Sequence, residues 1–203
     1  ADDAIYLERV LCKESGGVQD QIAASFGGLN RINFNADGYE VNPVIISPER
    51  KAQLNRNLML FFTGFSRFSS DIQKTTQKDM ADKERQLLEM LSLVDEAENV
   101  LTTKTDLNEF GRLLDYTWKL KRGISSGIST DSIDGLYAKG IEAGALGGKL
   151  LGAGGGGFLL FYVEEDKREA VAKAMEDLLY VPFQFENSGT RVIHYTAEMY
   201  EKR

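Results

Sequence analysis

The order of hydrophobic and polar positions along the chain predicts a mixture of helices and strands. Two short apolar runs, at residues 58–62 and 158–163, have the length and composition of buried strands. Elsewhere apolar residues recur every three or four positions, which is the spacing of one helical face. This spacing predicts helices at about residues 1–12, 18–26, 69–102, 105–118, 131–143 and 166–179.

Two hairpins are predicted where apolar and polar residues alternate. The first pairs two strands within residues 29–46 about Asp37-Gly38, a typical hairpin turn. The second lies at residues 181–195, and we expect the lone His194 to be half-buried on one of its strands. After Pro48 the order is strand, helices, strand, helix and hairpin. This order is typical of an α+β fold with helices packed on a mainly antiparallel sheet.

A domain boundary is expected at Ser47-Pro48, which separates the first hairpin from the apolar strand that follows. The boundary divides the chain into residues 1–46 and 47–203. In the second part a polar loop at residues 123–132, which contains Ser125 and Ser126, and the later glycine-rich run lie on either side of one predicted helix. Two such loops can face the same pocket.

Composition and charge exclude several classes of function. The formal net charge of −7 argues against nucleic acid or an anionic membrane as a partner, because clustered Lys and Arg carry most of the binding to a polyanion. The single cysteine, Cys12, cannot form an internal disulfide, and no signal peptide or long apolar run is present, so we expect a cytoplasmic protein. One His and one Cys are too few for a zinc site, whereas Mg²⁺ needs only carboxylates and phosphates.

The glycine-rich run at residues 147–157 is the strongest candidate for chemistry. Consecutive glycines expose backbone N–H groups and permit the positive φ angles of a loop that binds an anion. A flexible linker is the alternative, but linkers continue into polar residues, and an apolar strand follows here. Neither the Walker motif nor the dinucleotide fingerprint matches, because no Lys-Ser or Lys-Thr pair follows the glycines and the strand comes after them. The residues assigned to a phosphate-side loop are Lys149, Gly152, Gly154, Gly155, Gly156 and Gly157.

Two further residues are candidates for chemistry. Asp20 lies in the first turn of a predicted helix, where the helix dipole stabilises a carboxylate, and this suits a general base or a group that faces Mg²⁺. An ordinary first-turn aspartate is the alternative. Arg67 follows the strand at residues 58–62, and its guanidinium suits a phosphate and a surface carboxylate equally well.

The sequence resembles a known family of kinases at two places. The string GGKLLGAGGGGFLLFYV at residues 147–163 resembles the third motif of the GHMP small-molecule kinases, and GGVQDQIAASFGG at residues 16–28 resembles the segment that holds the catalytic base in the sugar kinases of that family. Both matches occur in the order that the family has. Shorter strings, TGFSR at residues 63–67, SSGIS at 125–129 and SGTRVIHY at 188–195, resemble its bacterial heptose 7-phosphate kinase branch.

The resemblance implies a ferredoxin-like, two-layer C-terminal domain of a GHMP kinase at residues 47–203, preceded by a remnant of the N-terminal domain. It also implies transfer of the γ-phosphoryl group of ATP, with Mg²⁺, to the hydroxyl of a sugar or sugar phosphate. For the heptose branch this is the anomeric hydroxyl of a 7-phosphorylated heptose, and a fucose- or galactose-type kinase is the alternative. The implied roles are Asp20 as base, Ser15, Gly17 and Gln19 on the sugar side, and Arg67 and Lys149 on anionic groups.

The first motif of that family, a loop around the nucleotide phosphates, has no counterpart upstream of Asp20. We therefore expect the chain to be part of a longer kinase, with its own N-terminal segment as a partner and with no activity by itself. The alternatives are a non-catalytic domain that binds a sugar phosphate and a ferredoxin-like regulatory module.

Overall fold

The computed structural model describes residues 1–14, 16–64, 83–125, 127–152 and 155–196. A π-helical turn, Leu7–Leu11, extends the first helix, and a 3₁₀ turn, Glu165–Lys167, precedes the last. The helices are α1 (Asp2–Tyr6), α2 (Gln19–Phe26), α3 (Pro48–Asn57), α4 (Glu84–Thr102), α5 (Asn108–Arg122), α6 (Asp131–Glu142) and α7 (Arg168–Ala174). The strands are β1 (Asn30–Asn35), β2 (Gly38–Pro43), β3 (Leu58–Phe62), β4 (Ala145–Leu150), β5 (Phe158–Val163) and β6 (Leu179–Tyr180).

The sheet that carries the main core has the strand order β4-β5-β3-β6, and every neighbouring pair is antiparallel. Along the chain the order is strand, helices, two strands, helix and strand. Within the sheet, β5 lies between β3 and β4. This is the split βαβ arrangement of a ferredoxin-like domain. The predicted α+β class and its antiparallel sheet are therefore confirmed, and both apolar runs are strands with the predicted bounds.

The core lies between the sheet and the helices that cover it. Trp118 of α5 and Phe161 of β5 are among its fully buried members. At Gly147 the backbone of β4 approaches α5 so closely that a Cβ atom would lie 1.9 Å from the carbonyl oxygen of Gly111. Gly147 and Gly148 therefore belong to a closely packed strand, which the sequence analysis did not predict, rather than to a loop that exposes its backbone.

The N-terminal part agrees with its prediction. Helix α2 ends at Gly27, where φ is +64°, and Ile22 anchors the helix as a fully buried side chain. Strands β1 and β2 pair antiparallel with Asn35 opposite Gly38, so the predicted hairpin turn is confirmed. The division of the chain at residue 46 stays a prediction.

Helix α3 is an element that the sequence analysis missed. The Ser47-Pro48 pair, which was read only as a boundary, begins this helix: Ser47 Oγ accepts a hydrogen bond from Arg50 N at 3.2 Å. Proline suits the first position of a helix because its missing N–H would have no partner there. The predicted helix at 69–102 is confirmed over Glu84–Thr102, and residues 65–82 lie outside the described residues.

The predicted second hairpin is wrong. Residues 181–196 contain no strand, and the alternation of Phe183 and Phe185 instead reflects contacts with the core cluster around Leu54. His194 is exposed rather than half-buried, and its ring lies 3.0 Å from Thr196 Oγ1. The predicted helix at 166–179 is also shorter, since α7 ends at Ala174.

Candidate functional site

The glycine loop, residues 151–157, joins β4 to β5 and is held by hydrogen bonds on two sides. Gly157 O accepts from Thr63 N and from Thr63 Oγ1, each at 2.9 Å, and Gly155 N donates to Ile128 O at 3.1 Å. Gly155 and Gly157 have φ angles of +73° and +111°, which side chains rarely adopt. These contacts favour an ordered loop over a linker. Residues 153 and 154, and with them the predicted Gly154, lie outside the described residues.

Two of the loop amides that the resemblance assigned to phosphate already have protein partners. Gly155 N donates to Ile128 O, and Gly157 N donates to Thr63 Oγ1 at 3.2 Å. Among the described residues of the loop, Gly152 and Gly156 are glycines whose N–H groups make no hydrogen bond to the described part of the protein. A phosphate oxygen could therefore accept a hydrogen bond from either of these two amides.

Lys149 is a strand residue and not part of the loop to which it was assigned. It lies in β4 opposite Leu160 of β5, two residues before the loop begins. Its side chain is partly buried, and burial lowers the pKa of its ammonium group. Lys149 can still act on the loop, but through a fixed position on the sheet edge.

Asp20 is exposed in the first turn of α2, as predicted. Helix α2 is fixed at the other end, where Thr190 N donates to Ala24 O at 3.0 Å and Gly28 N donates to Glu186 O at 2.7 Å. The C-terminal segment therefore helps to position the helix that carries Asp20.

The remaining residues predicted on the sugar side are only partly described. Gly17 and Gln19 are exposed and adjacent, since a Cβ atom at Gly17 would lie 2.7 Å from Gln19 Oε1. Ser15 and Arg67 lie outside the described residues.

Lys121, in the last turn of α5, contacts the glycine loop, and the sequence analysis missed it. Its Nζ donates to the carbonyl oxygen of Gly152 at 3.0 Å. Burial and the like charge of Lys149 lower the pKa of Lys121 to about 8, and the carboxylate of Asp20 acts in the opposite direction. A signal was present in the sequence: Lys121 follows Leu114 and Trp118 at helical spacing, so it continues an apolar face.

Lys121, which contacts the glycine loop, is under the electrostatic influence of two further charges. Two ammonium groups, Lys121 and Lys149, are opposed by the single carboxylate of Asp20. None of the three takes part in an ion pair among the residues that the structure describes. The arrangement can hold an anion beside a group that accepts a proton.

The polar loop before α6 touches the glycine loop through the bond from Gly155 N to Ile128 O. Beside it lies a cavity of about 470 Å³, which Ser125 and Ser129 line together with residues of α5 and α6. Arg122 and Asp134 form an ion pair across this region. The polar loop and the glycine loop are therefore in contact, as the sequence suggested. The residues identified around the cavity, however, belong to the polar loop, α5 and α6.

Two other kinds of site are absent from the described ranges. These ranges contain no group of three or more His, Cys, Asp and Glu side chains placed to hold a metal ion by themselves. A Mg²⁺ ion that is coordinated mainly by phosphate oxygens and water does not need such a group. None of the described helices is long and apolar enough to cross a membrane.

Comparison with known proteins gives the class of the domain. Residues 94–181 match the family model of the GHMP kinases C terminal. The matched region runs from the middle of α4 to the end of β6 and includes both Lys121 and the glycine loop. This part of the chain is therefore similar to the C-terminal domain of the GHMP kinases.

Individual relatives include sugar kinases. D-glycero-alpha-D-manno-heptose 7-phosphate kinase from Campylobacter jejuni is 33% identical over 181 residues, which are 87% of this chain and 53% of that protein. The crystal structure of a D-glycero-D-manno-heptose 1-phosphate kinase from Bacteroides thetaiotaomicron is 28% identical, with a TM-score of 0.59 over 92% of this chain and 51% of that one. An L-fucokinase/L-fucose-1-P guanylyltransferase from Bacteroides fragilis is 28% identical over 82% of this chain and 18% of its own length. The chain thus spans about half the length of the heptose kinases that it matches.

Proposed function

We propose that the full-length protein is a cytoplasmic, ATP-dependent sugar kinase that phosphorylates the anomeric hydroxyl of D-glycero-D-manno-heptose 7-phosphate. The observation that carries the proposal is the hydrogen bond from Lys121 Nζ to Gly152 O, which places a cation against the glycine loop, and the carboxylate of Asp20 acts electrostatically on the same lysine. The heptose kinases among the relatives support the choice of sugar. A segment outside this chain would supply the remaining contacts to ATP.

The reaction requires positioning and charge stabilisation more than covalent chemistry by the protein. Asp20 accepts the proton of the sugar hydroxyl while that oxygen forms a bond to the γ-phosphorus. The bond from the γ-phosphorus to the bridging β–γ oxygen breaks, and ADP leaves. Gly156 N donates to a phosphate oxygen, and Ser15, Gly17 and Gln19 line the sugar side.

Charge neutralisation comes from several sources in this proposal. Bound to the nucleotide, Mg²⁺ would neutralise part of the phosphate charge, held mainly by phosphate oxygens and water. Lys149, which lies on the sheet behind the glycine loop, adds a positive charge, and Arg67 contacts an anionic group of a substrate.

The test is sugar-dependent release of ADP by the full-length protein. Heptose 7-phosphate, L-fucose, D-galactose and mevalonate are offered in parallel, each with ATP and Mg²⁺. Preference for the heptose supports the proposal. Preference for fucose would instead favour the fucose-type alternative, which the fucokinase relative makes specific.

Asp20→Asn tests the role of the base. Loss of a general base typically costs about 100- to 10,000-fold in turnover, and we expect the binding of the ATP analogue AMPPNP to stay unchanged. Asp37→Asn is the matched control, because Asp37 is an exposed aspartate in the turn between β1 and β2. If Asp20→Asn retains wild-type turnover on the preferred sugar, Asp20 is not the base.

A further inference from the structure

Lys121 occupies an unfavourable position for a lysine that serves only the fold. Its Nζ donates a hydrogen bond to the carbonyl oxygen of Gly152, an exposed residue to which water could also donate. Burial of the ammonium group is costly unless a partner compensates it. The described residues offer no ion pair to Lys121.

The charged neighbours of Lys121 make this cost larger. The positive charge of Lys149 on β4 disfavours the ammonium form of Lys121, whereas the negative charge of Asp20 on α2 favours it. Lys149 itself is partly buried and has a lowered pKa. Among Lys121 and the two charges that act on it, positive charge therefore exceeds negative charge. An anion beside the ammonium group of Lys121 would be attracted by both lysines.

We propose that Lys121 binds a phosphoryl group between the glycine loop and Asp20, exchanging the carbonyl oxygen of Gly152 for a phosphate oxygen. The inference rests on the proposed kinase function for its chemistry, but the position of the side chain is independent of which sugar is used. The phosphoryl group belongs to ATP or to the sugar phosphate, and both present the same dianionic oxygens. A lysine suits either, since its ammonium acts as a point charge with three donors.

The role in the reaction follows from the hydrogen bond of Lys121 to the glycine loop and from its electrostatic interaction with Asp20. The transferred phosphoryl group spreads charge over its oxygens in the transition state, and a fixed cation beside it stabilises that charge. The same cation would also keep the carboxylate of Asp20 from repelling the phosphate. Lys121 forms no bond and transfers no proton in this scheme.

The kinetic test compares Lys121→Met with Lys121→Arg and Lys119→Met in the full-length protein. Removal of one charge-stabilising group typically costs about 100-fold or more in turnover, so we expect a loss of this size for Lys121→Met and a smaller one for Lys121→Arg. Lys119→Met is the matched control, because Lys119 lies on the same helix, is exposed and pairs with Asp115. Turnover of Lys121→Met equal to that of Lys119→Met would overturn the proposal.

A second test does not depend on turnover. The ¹³Cε resonance of Lys121, assigned by its loss in Lys121→Met, is followed through a pH titration of the free protein, with AMPPNP, and with heptose 7-phosphate. A phosphate dianion in contact with the ammonium should raise the titration midpoint by about one pH unit or more. A rise with AMPPNP alone identifies the nucleotide as the source, and a rise with the sugar phosphate alone identifies the sugar.

The two tests separate failure of the inference from failure of the proposed function. If the midpoint of Lys121 rises with AMPPNP but no sugar supports ADP release, the phosphate contact stands and the proposed sugar kinase activity fails. If ADP release is rapid and neither ligand shifts the midpoint, the kinase assignment stands and the inference is overturned.

Discussion

Lys121→Met should make the folded protein more stable at neutral pH, although we propose that the lysine binds phosphate. The pKa of Lys121 falls from 10.5 to about 8 in the folded protein, with burial as the main cause. Each pKa unit corresponds to about 1.4 kcal/mol, so the charged lysine costs the fold about 3 kcal/mol. Methionine removes this cost, keeps the apolar stem and forfeits a hydrogen bond worth about 1 kcal/mol. The expected net gain is about 2 kcal/mol.

The gain should shrink as the pH rises. Between about pH 8 and 10.5 the unfolded chain binds the proton of Lys121 and the folded protein does not, so wild-type stability rises with pH across this window. By about pH 9.5 roughly 2 kcal/mol of the cost has been relieved, which leaves the variant with an advantage of about half a kcal/mol or less. Lys121 faces Lys149 and Asp20, and both charges remain in the variant.

Urea-induced unfolding of the full-length protein, monitored by circular dichroism at about pH 7 and pH 9.5, measures both quantities. Lys119→Met serves again as the control, since an exposed ion pair contributes less than about 1 kcal/mol. A variant that is less stable than the wild type at pH 7, or a difference that does not change with pH, would refute the reasoning. Either result would mean that Lys121 is compensated in the folded protein.

Two glycine substitutions, with a third as a control, test how the site is supported. Gly147→Ala places a Cβ atom 1.9 Å from Gly111 O, so we expect a loss of about 3 kcal/mol or more in the free energy of unfolding. In the control, Gly135→Ala, the new Cβ atom lies on a helix with no other atom within 4 Å, and it should stabilise the protein by up to about 1 kcal/mol. Gly189→Ala places a Cβ atom 1.9 Å from Ser25 O in α2. It should lower turnover by displacing Asp20 while leaving AMPPNP binding intact, and unchanged turnover would show that the C-terminal segment does not position α2.

Local pattern predicted those elements whose signal is contained in a few consecutive residues. The strands Leu58–Phe62 and Phe158–Val163 are uninterrupted apolar runs, and the turn at Asp37 has a residue preference of its own. Strand β4 was missed because glycine is a poor strand former, and here Gly147 allows close contact with α5 and Gly148 allows close contact with β5. The alternation at Phe183 and Phe185 led to the wrong prediction of a strand. Alternate side chains of an extended segment can pack against a core even when the segment is not paired in a sheet.

The candidate site was predictable where the sequence resembles known motifs and not where residues distant in sequence meet. Asp20 and the glycine loop were assigned in this way, and their roles stay predictions. Helical spacing places Lys121 on an apolar face, but its relation to the glycine loop appears only in the contact with Gly152, which lies 31 residues away along the chain. Lys149 was assigned to the loop because it is close in sequence to the glycines, whereas it lies in strand β4, and its role stays a prediction.

The close approach of α5 and β4 at Gly147 also bears on the electrostatics of the site. The backbone contact at Gly111 fixes how far apart the helix and the strand lie, and each carries one of the two lysines further along. The distance between the two positive charges is thus set by the main chain and not by side-chain rotamers alone. A position with no side chain and no charge thereby helps to determine the electric field that an incoming phosphate meets.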